Sequence, residues 1–175
     1  MTWAAPLLLV VASLLAGCSH YVLGTGSATP FRKLYIEPVV NEAPLPQAVA
    51  LISTEIREAF IRDGRLQVVN SPEDADVVLS TKLGSYGRDI ATVVPNDTGL
   101  ARKFVLNLSA TITLAEPGAG KVYFQDRPLV AKRQVFTDNP QTGQFDNQLQ
   151  AEYQAVPLLA QSLSAAAVSA VLDVW

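Results

Sequence analysis

The chemistry in this 175-residue chain starts at its only thiol. Cys18 follows Leu15-Ala16-Gly17, a lipobox pattern in which small residues let a signal peptidase reach the bond before the cysteine. The thiol is then acylated with diacylglycerol before cleavage, and the freed amine is acylated afterwards. The ordinary alternative is a lone cysteine acting as a small buried apolar residue. Position favours modification. The apolar run from Ala4 to Ala16 is too short for a membrane span of roughly 20 residues, and it has the length of a secretory-signal core. No Lys or Arg precedes that run. His20 is the only imidazole, so one Cys and one His exclude a Cys/His zinc cluster and an intrachain disulfide, and they leave a single candidate base for nucleophilic catalysis. Glu37, Glu42, Asp74, Asp76, Asp89 and Asp97 supply carboxylates, but no two stand at a spacing that sets a catalytic distance; they read as solvated surface. Gly24-Thr25-Gly26-Ser27 and Gly118-Ala119-Gly120 lack the strand, glycine turn, lysine and helix of a phosphate loop. No catalytic residue, metal site or cofactor is expected.

The cations are unevenly placed. Every charged side chain lies after Phe31, and the chain carries a net charge of -3, which disfavours a general nucleic-acid binder. Residues 82–133 nevertheless hold Lys82, Arg88, Arg102, Lys103, Lys121, Arg127, Lys132 and Arg133 against Asp89, Asp97, Glu116 and Asp126. Residues 134–175 hold acidic groups and no basic ones. Two readings of the cationic stretch stand side by side. One is a solvated sheet face; the other is a surface for lipid phosphates or an acidic partner. An apolar strand edge in the same stretch could also dock a partner.

These groups must be positioned by one folded unit. Residues 1–17 read as a lipoprotein signal peptide, 18–31 as an acylated cysteine with a short uncharged tether, and 32–175 as a single α+β domain. Phe31 to Val40 is a first strand with Pro38 near its end. From Pro46 to Asp63, Val49, Ile52, Ile56 and Phe60 recur at helical spacing, and Gly64 stands where a C-cap belongs. Arg65 to Asn70 is a second short strand. Ser71 and Pro72 open a turn. Asp76 to Ala91 alternates apolar and polar residues, with Gly84 and Gly87 marking a bend or bulge. Leu100 to Ala115 is the clearest strand, with Leu106, Leu108, Ala110, Ile112 and Leu114 on one face. Pro117 to Gly120 turns it into Lys121 to Phe136, a β-hairpin. Pro95 to Gly99 and Asp138 to Gly143 are loops. Leu149 to Val174 is an Ala- and Leu-rich helix whose stripe runs through Leu149, Tyr153, Val156, Leu159 or Ala160, Leu163, Ala167 and Val171. Pro157 should kink it or begin a second segment. The expected architecture is two helices packed on a mostly antiparallel sheet of about four strands.

Taken in order, several of these segments resemble the lipopolysaccharide-assembly lipoprotein family (LptE). They are Gly17-Cys18 with Tyr21, Leu23 and Gly24; Leu34-Tyr35-Ile36-Glu37-Pro38 and Asn41; the helix end Phe60-Ile61-Arg62-Asp63-Gly64-Arg65-Leu66; Ala75-Asp76-Val77-Val78-Leu79 and its strand to Tyr86; Asp138-Asn139-Pro140-Gln141; and the Ala-rich last helix. The sequence departs from the family in three places: one extra residue lies between Cys18 and Tyr21, Thr81 stands where glycine is frequent, and Gly143-Gln144-Phe145 lacks a nearby basic residue. The resemblance implies a two-helix, four-stranded sandwich that plugs an outer-membrane β-barrel translocon and helps assemble lipopolysaccharide at the cell surface. It implies a non-enzymatic protein on the periplasmic side of the outer membrane, held there by lipid on Cys18. Ser19 after the cysteine, in place of an aspartate, agrees with outer-membrane sorting. Arg88, Arg102 and Lys103 are the expected lipopolysaccharide contacts. A different class, an envelope lipoprotein that activates a periplasmic peptidoglycan synthase, would need a long tether. The thirteen residues from Ser19 to Phe31 reach little distance at about 3.3–3.6 Å each. A hydrolase finds no nucleophile–base pair.

Overall fold

The computed structural model describes residues 30–93, 101–118, 120–136 and 148–174. Cys18, His20, the leader, the expected tether up to residue 29, and the loops at Pro95–Gly99 and Asp138–Gly143 lie outside the described residues. In chain order the elements are β1 (Lys33–Ile36), β2 (Val40–Asn41), a 3-10 turn (Pro46–Ala48), α1 (Val49–Asp63), β3 (Gln67–Val69), a second 3-10 turn (Pro72–Asp74), β4 (Val77–Val93), β5 (Ala101–Ala115), β6 (Val122–Phe136) and α2 (Gln148–Leu172).

The strict alternation of β5 makes it the middle strand of a long antiparallel meander. Phe104, Leu106, Leu108, Ala110, Ile112 and Leu114 are all buried, and the residues between them are half-buried. A period of two puts one set on each face of the pleat. β4 pairs on one side of it (Leu83↔Ala110) and β6 on the other (Leu108↔Ala131). Gly118, at φ 72°, takes the left-handed conformation in the β5–β6 turn, which costs glycine little.

The sheet order is β3-β1-β4-β5-β6, with β2 also paired to β4. The α+β class holds. The sheet, however, has six strands, and β1–β3, β1–β4 and β2–β4 are parallel pairs. Parallel neighbours need a crossover rather than a hairpin, and α1 supplies it between β1 and β3. These short strands carry too few residues for their alternation to reveal a pairing partner. The first of them stops at Ile36, before Pro38, and pairing resumes only at Val40.

Both helices lie on the same face of the sheet. α1 buries Ile52, Ile56 and Phe60, and ends at Gly64 (φ 74°), whose N–H donates to the Phe60 carbonyl at 3.1 Å. α2 runs unbroken from Gln148 to Leu172, so Pro157 does not begin a second segment. Pro157 is exposed, which leaves the carbonyl four residues back on the solvent side. The buried stripe of α2 passes through Ala151, Glu152, Ala155, Val156, Leu159, Ala160, Leu163, Ala167 and Val171. Leu149 and Tyr153, expected on that stripe, are 71% and 75% exposed. In the first turns Ala151 and Glu152 take the buried positions instead, a single residue turning the helix by about 100°, and from Val156 onward the expected stripe is the buried one. Leu149–Leu172 is long and apolar enough to cross a membrane, but its apolar stripe is consumed by contact with α1 and β6. Leu159, Leu163 and Val171 have no exposed surface, and each buried aliphatic of this kind contributes about 1.5–3 kcal/mol of transfer free energy. No described element covers the opposite face of the meander, where Lys82, Ser85, Lys132 and Gln134 are exposed.

Candidate functional site

Strand parity sorts the cations of residues 82–133 onto two faces. Up to Leu83 the odd-numbered residues of β4 face the helices: Val77, Leu79, Thr81 and Leu83 are buried. Between Leu83 and Ser85 the register shifts by one residue. Gly84 is the extra residue of this bulge, and a Cβ there would sit 3.3 Å from the Ser109 hydroxyl. That hydroxyl instead accepts from the Ser85 N–H at 2.9 Å. Beyond the bulge the even-numbered residues face inward, since Tyr86 lies opposite Leu108 and Arg88 opposite Leu106.

The bulge therefore delivers Arg88 to the helix side, against the first turns of α2. Its Nη1 donates to Glu152 Oε1 at 2.6 Å, with 47% of the Arg88 side chain and 11% of the Glu152 side chain exposed. The Tyr86 hydroxyl donates to Glu152 Oε2 at 3.4 Å. Burial, followed by the Glu152 charge, pushes the Tyr86 phenol up to about 12. A cleft of about 390 Å³ opens beside this trio, lined also by Pro44, Leu45, Leu149, Tyr153 and Val156.

Lys103 belongs to the other parity of β5 and faces the uncovered side. It lies opposite Phe136 in register, and its ammonium stands 5.5 Å from that ring's centroid. Arg88 and Lys103 thus point to opposite faces of the same sheet end. Arg102 precedes Lys103 in β5. Of the other cations, Arg127 donates to the Ala170 carbonyl near the end of α2 at 2.8 Å and lies over the Phe124 ring at 4.9 Å. It ties β6 to the helix, satisfying a terminal carbonyl.

At the opposite end of the long strands the chain joins the sheet through Phe31. Its ring meets Tyr123 edge-on at 5.3 Å. Asp76 accepts the backbone N–H groups of Arg32 and Lys33 at 2.8 and 2.9 Å, and these bonds hold its carboxyl below the usual carboxylate range. Asp76 is thus a clamp on the start of β1. Glu37 accepts from Ser80 and Asp89 from Asn107. Among the described residues no three of His, Cys, Asp and Glu come together as metal ligands. From Ala115 back to Lys103 the meander extends about 40 Å at 3.4 Å per residue, so Phe31 and Lys103 stand at opposite ends of the long strands.

Sequence reasoning missed Glu152, which looked like one more polar residue of a helix. Its only signal was its position four residues before Val156, on the buried stripe.

The profile of the lipopolysaccharide-assembly (LptE) family matches residues 31–166. No curated protein matches the chain. Among solved structures, a hypothetical protein of Chlamydia trachomatis shares 13% identity at a TM-score of 0.56, covering 82% of this chain and 97% of its own. A minor lipoprotein of Acinetobacter baumannii shares 16% identity at a TM-score of 0.52, covering 81% and 91%. A protein of Xanthomonas campestris shares 11% at 0.54, covering 81% and 84%. At these identities the similarity is one of fold.

Proposed function

The chain belongs to the lipopolysaccharide-assembly (LptE) family, and from that premise we propose that it is an outer-membrane lipoprotein that plugs a β-barrel translocon and assists lipopolysaccharide assembly at the cell surface. In this reading residues 1–17 are removed, Cys18 carries the acyl chains, and residues 18–31 tether a domain formed by 32–175. Several chains at about 0.8 kcal/mol per buried methylene give permanent anchoring. The role is one of assembly, not catalysis.

The observation that carries the reading is the family match over residues 31–166. The uncovered sheet face agrees with it: Ser80, Ser85, Asn107, Ser109, Thr111 and Thr113 share the face away from the helices. A surface of small hydrogen-bonding groups suits the polar interior of an outer-membrane barrel. Arg88, Arg102 and Lys103 are the proposed contacts for lipid phosphates. Lys103 supports this most directly, because it stands on the uncovered face.

Affinity purification of the full-length protein from outer membranes should recover a large β-barrel protein; recovery of none would refute the partnership. Mass spectrometry of the native protein should find acylated Cys18 as the first residue, and an intact leader with an unmodified thiol would refute the anchor. Replacing Arg102 and Lys103 together by Glu should weaken lipopolysaccharide binding at least tenfold. Unchanged binding removes those two residues from the proposal.

A further inference from the structure

At the end of the sheet where the described chain begins, a cavity of about 560 Å³ is walled by Phe31, Arg32, Asp76, Glu116, Pro117 and Tyr123, a volume in the range of small-ligand sites. Three stretches far apart in sequence meet there: the lead into β1, the approach to β4 and the β5–β6 turn. The turn is folded around the Glu116 carboxylate. Its Oε2 accepts the Lys121 N–H and its Oε1 the Tyr123 hydroxyl, both at 3.2 Å. A Cβ at Gly120 would overlap the Glu116 Cβ, so glycine is required for the turn to close over this side chain. Asp76 is held as firmly. Its Oδ2 takes the backbone bonds from Arg32 and Lys33, and its Oδ1 meets no hydrogen-bond donor among the described residues.

The cavity carries charges of both signs. Burial, then the Glu116 bond and the charges of Glu116 and Asp76, push the Tyr123 phenol up, so the two carboxylates act at one point. The same ring accepts a cation: Lys121 Nζ stands 4.6 Å from its centroid, inside the range of ring–cation attraction. The Arg32 side chain is exposed and forms no ion pair among the described residues. A matching ligand therefore carries an ammonium for two carboxylates and, a few bonds away, an anion for a guanidinium.

We propose that this cavity binds the headgroup of an ethanolamine phospholipid, its ammonium taken by Asp76 and Glu116 and its phosphate by Arg32. An ammonium has three donors for carboxylate oxygens, and a guanidinium matches a phosphate with charge-assisted bonds. The source of the headgroup rests on the reading that Cys18 is acylated. Pro30 also lines the cavity, and Cys18 precedes it by only twelve residues, a reach of at most about 43 Å at 3.6 Å each. An anchored Cys18 thus keeps this end of the domain beside the bilayer. Pro117 and Val122, on either side of the turn tip, are exposed there, where apolar groups can enter the boundary between headgroups and acyl chains. Seating a headgroup at this end turns the opposite end of the long strands, with Lys103, away from the leaflet that holds the anchor.

The test titrates the full-length protein in non-ionic detergent calorimetrically with short-chain phosphatidylethanolamine. Short-chain phosphatidylglycerol, which lacks the ammonium, and free glycerophosphoethanolamine serve as comparisons. The ethanolamine lipid should bind at least tenfold more tightly than the glycerol lipid. Glu116→Gln should remove that preference, and Arg32→Gln, a change at an exposed side chain outside the core, should weaken binding of the ethanolamine lipid at least fivefold. No binding by the wild-type protein, equal binding of the two lipids, or unchanged binding by Arg32→Gln overturns the proposal. Glycerophosphoethanolamine bound as tightly as the lipid overturns the membrane source and assigns the cavity to a soluble phosphate ester. Mass spectrometry of the same preparation separates the two readings. Acylated Cys18 without headgroup binding overturns the cavity and leaves the anchor standing, and headgroup binding by a protein with an unmodified thiol does the reverse.

Discussion

Removing the Arg88 guanidinium tests whether the sheet and the last helix are joined by charge. The Nη1–Oε1 distance is 2.6 Å, and Glu152 keeps 11% of its side chain exposed against 47% for Arg88. Breaking a fully buried pair costs about 3–5 kcal/mol, while an exposed pair contributes about 0–1 kcal/mol. A buried carboxylate held by a half-exposed guanidinium falls between, at about 2 kcal/mol for Arg88→Ala. The Tyr86 hydroxyl keeps its longer bond to Glu152, at 3.4 Å, in this variant. At about 2–4 °C per kcal/mol for a chain of this size, Tm should fall by about 4–8 °C. Glu152→Gln keeps the shape and removes the charge, so it should cost about 1 kcal/mol. The double variant should recover about 1–1.5 kcal/mol relative to the sum of the two. Urea denaturation of the four proteins measures this cycle. A coupling under about 0.3 kcal/mol would refute the claim that the pair joins β4 to α2. Lipopolysaccharide binding measured on the same variants separates two roles. A lipid contact loses affinity in Arg88→Ala at temperatures where the variant is folded, and a purely structural link does not.

Two deletions should behave oppositely: removing Gly84 erases the bulge yet keeps Tyr86 and Arg88 facing the helices, whereas removing Gly87 turns Arg88 outward and sends Asp89 toward Glu152. The Gly87 deletion should melt at least 6 °C lower than the Gly84 deletion by circular dichroism. The raised phenol of Tyr86 stabilises the fold fully below pH 10, its ordinary value, and that contribution is lost as pH climbs toward about 12. Over that range the wild-type protein should lose stability faster than Tyr86→Phe in denaturation series, and parallel curves would refute it. Leu163 is fully buried, so Leu163→Ala should destabilise by about 2–5 kcal/mol, read from the urea midpoint at constant slope.

What the amino-acid order determined by itself was whatever repeats within one segment. The period of two in β5, the period near 3.6 in α1, the left-handed cap at Gly64 and the hairpin turn at Gly118 depend on residues a few positions apart, and all were legible. The family could be read as well, because its segments keep their order along the chain. Tertiary structure decided what depends on residues far apart. The parallel pairing of β1, β2 and β3 rests on a crossover and on strands of two to four residues, too short to carry a pattern. The stripe of α2 was legible from Val156 onward, whereas which residues its first turns bury follows from the neighbours packed there. A glycine between Leu83 and Ser85 announced a bend, but only pairing with Ser109 made it a bulge that reverses the faces of everything after it. That reversal separates Arg88 from Lys103 and joins it to Glu152, 64 positions away. Side-chain direction in a strand depends on the whole register, and register is a property of two strands together.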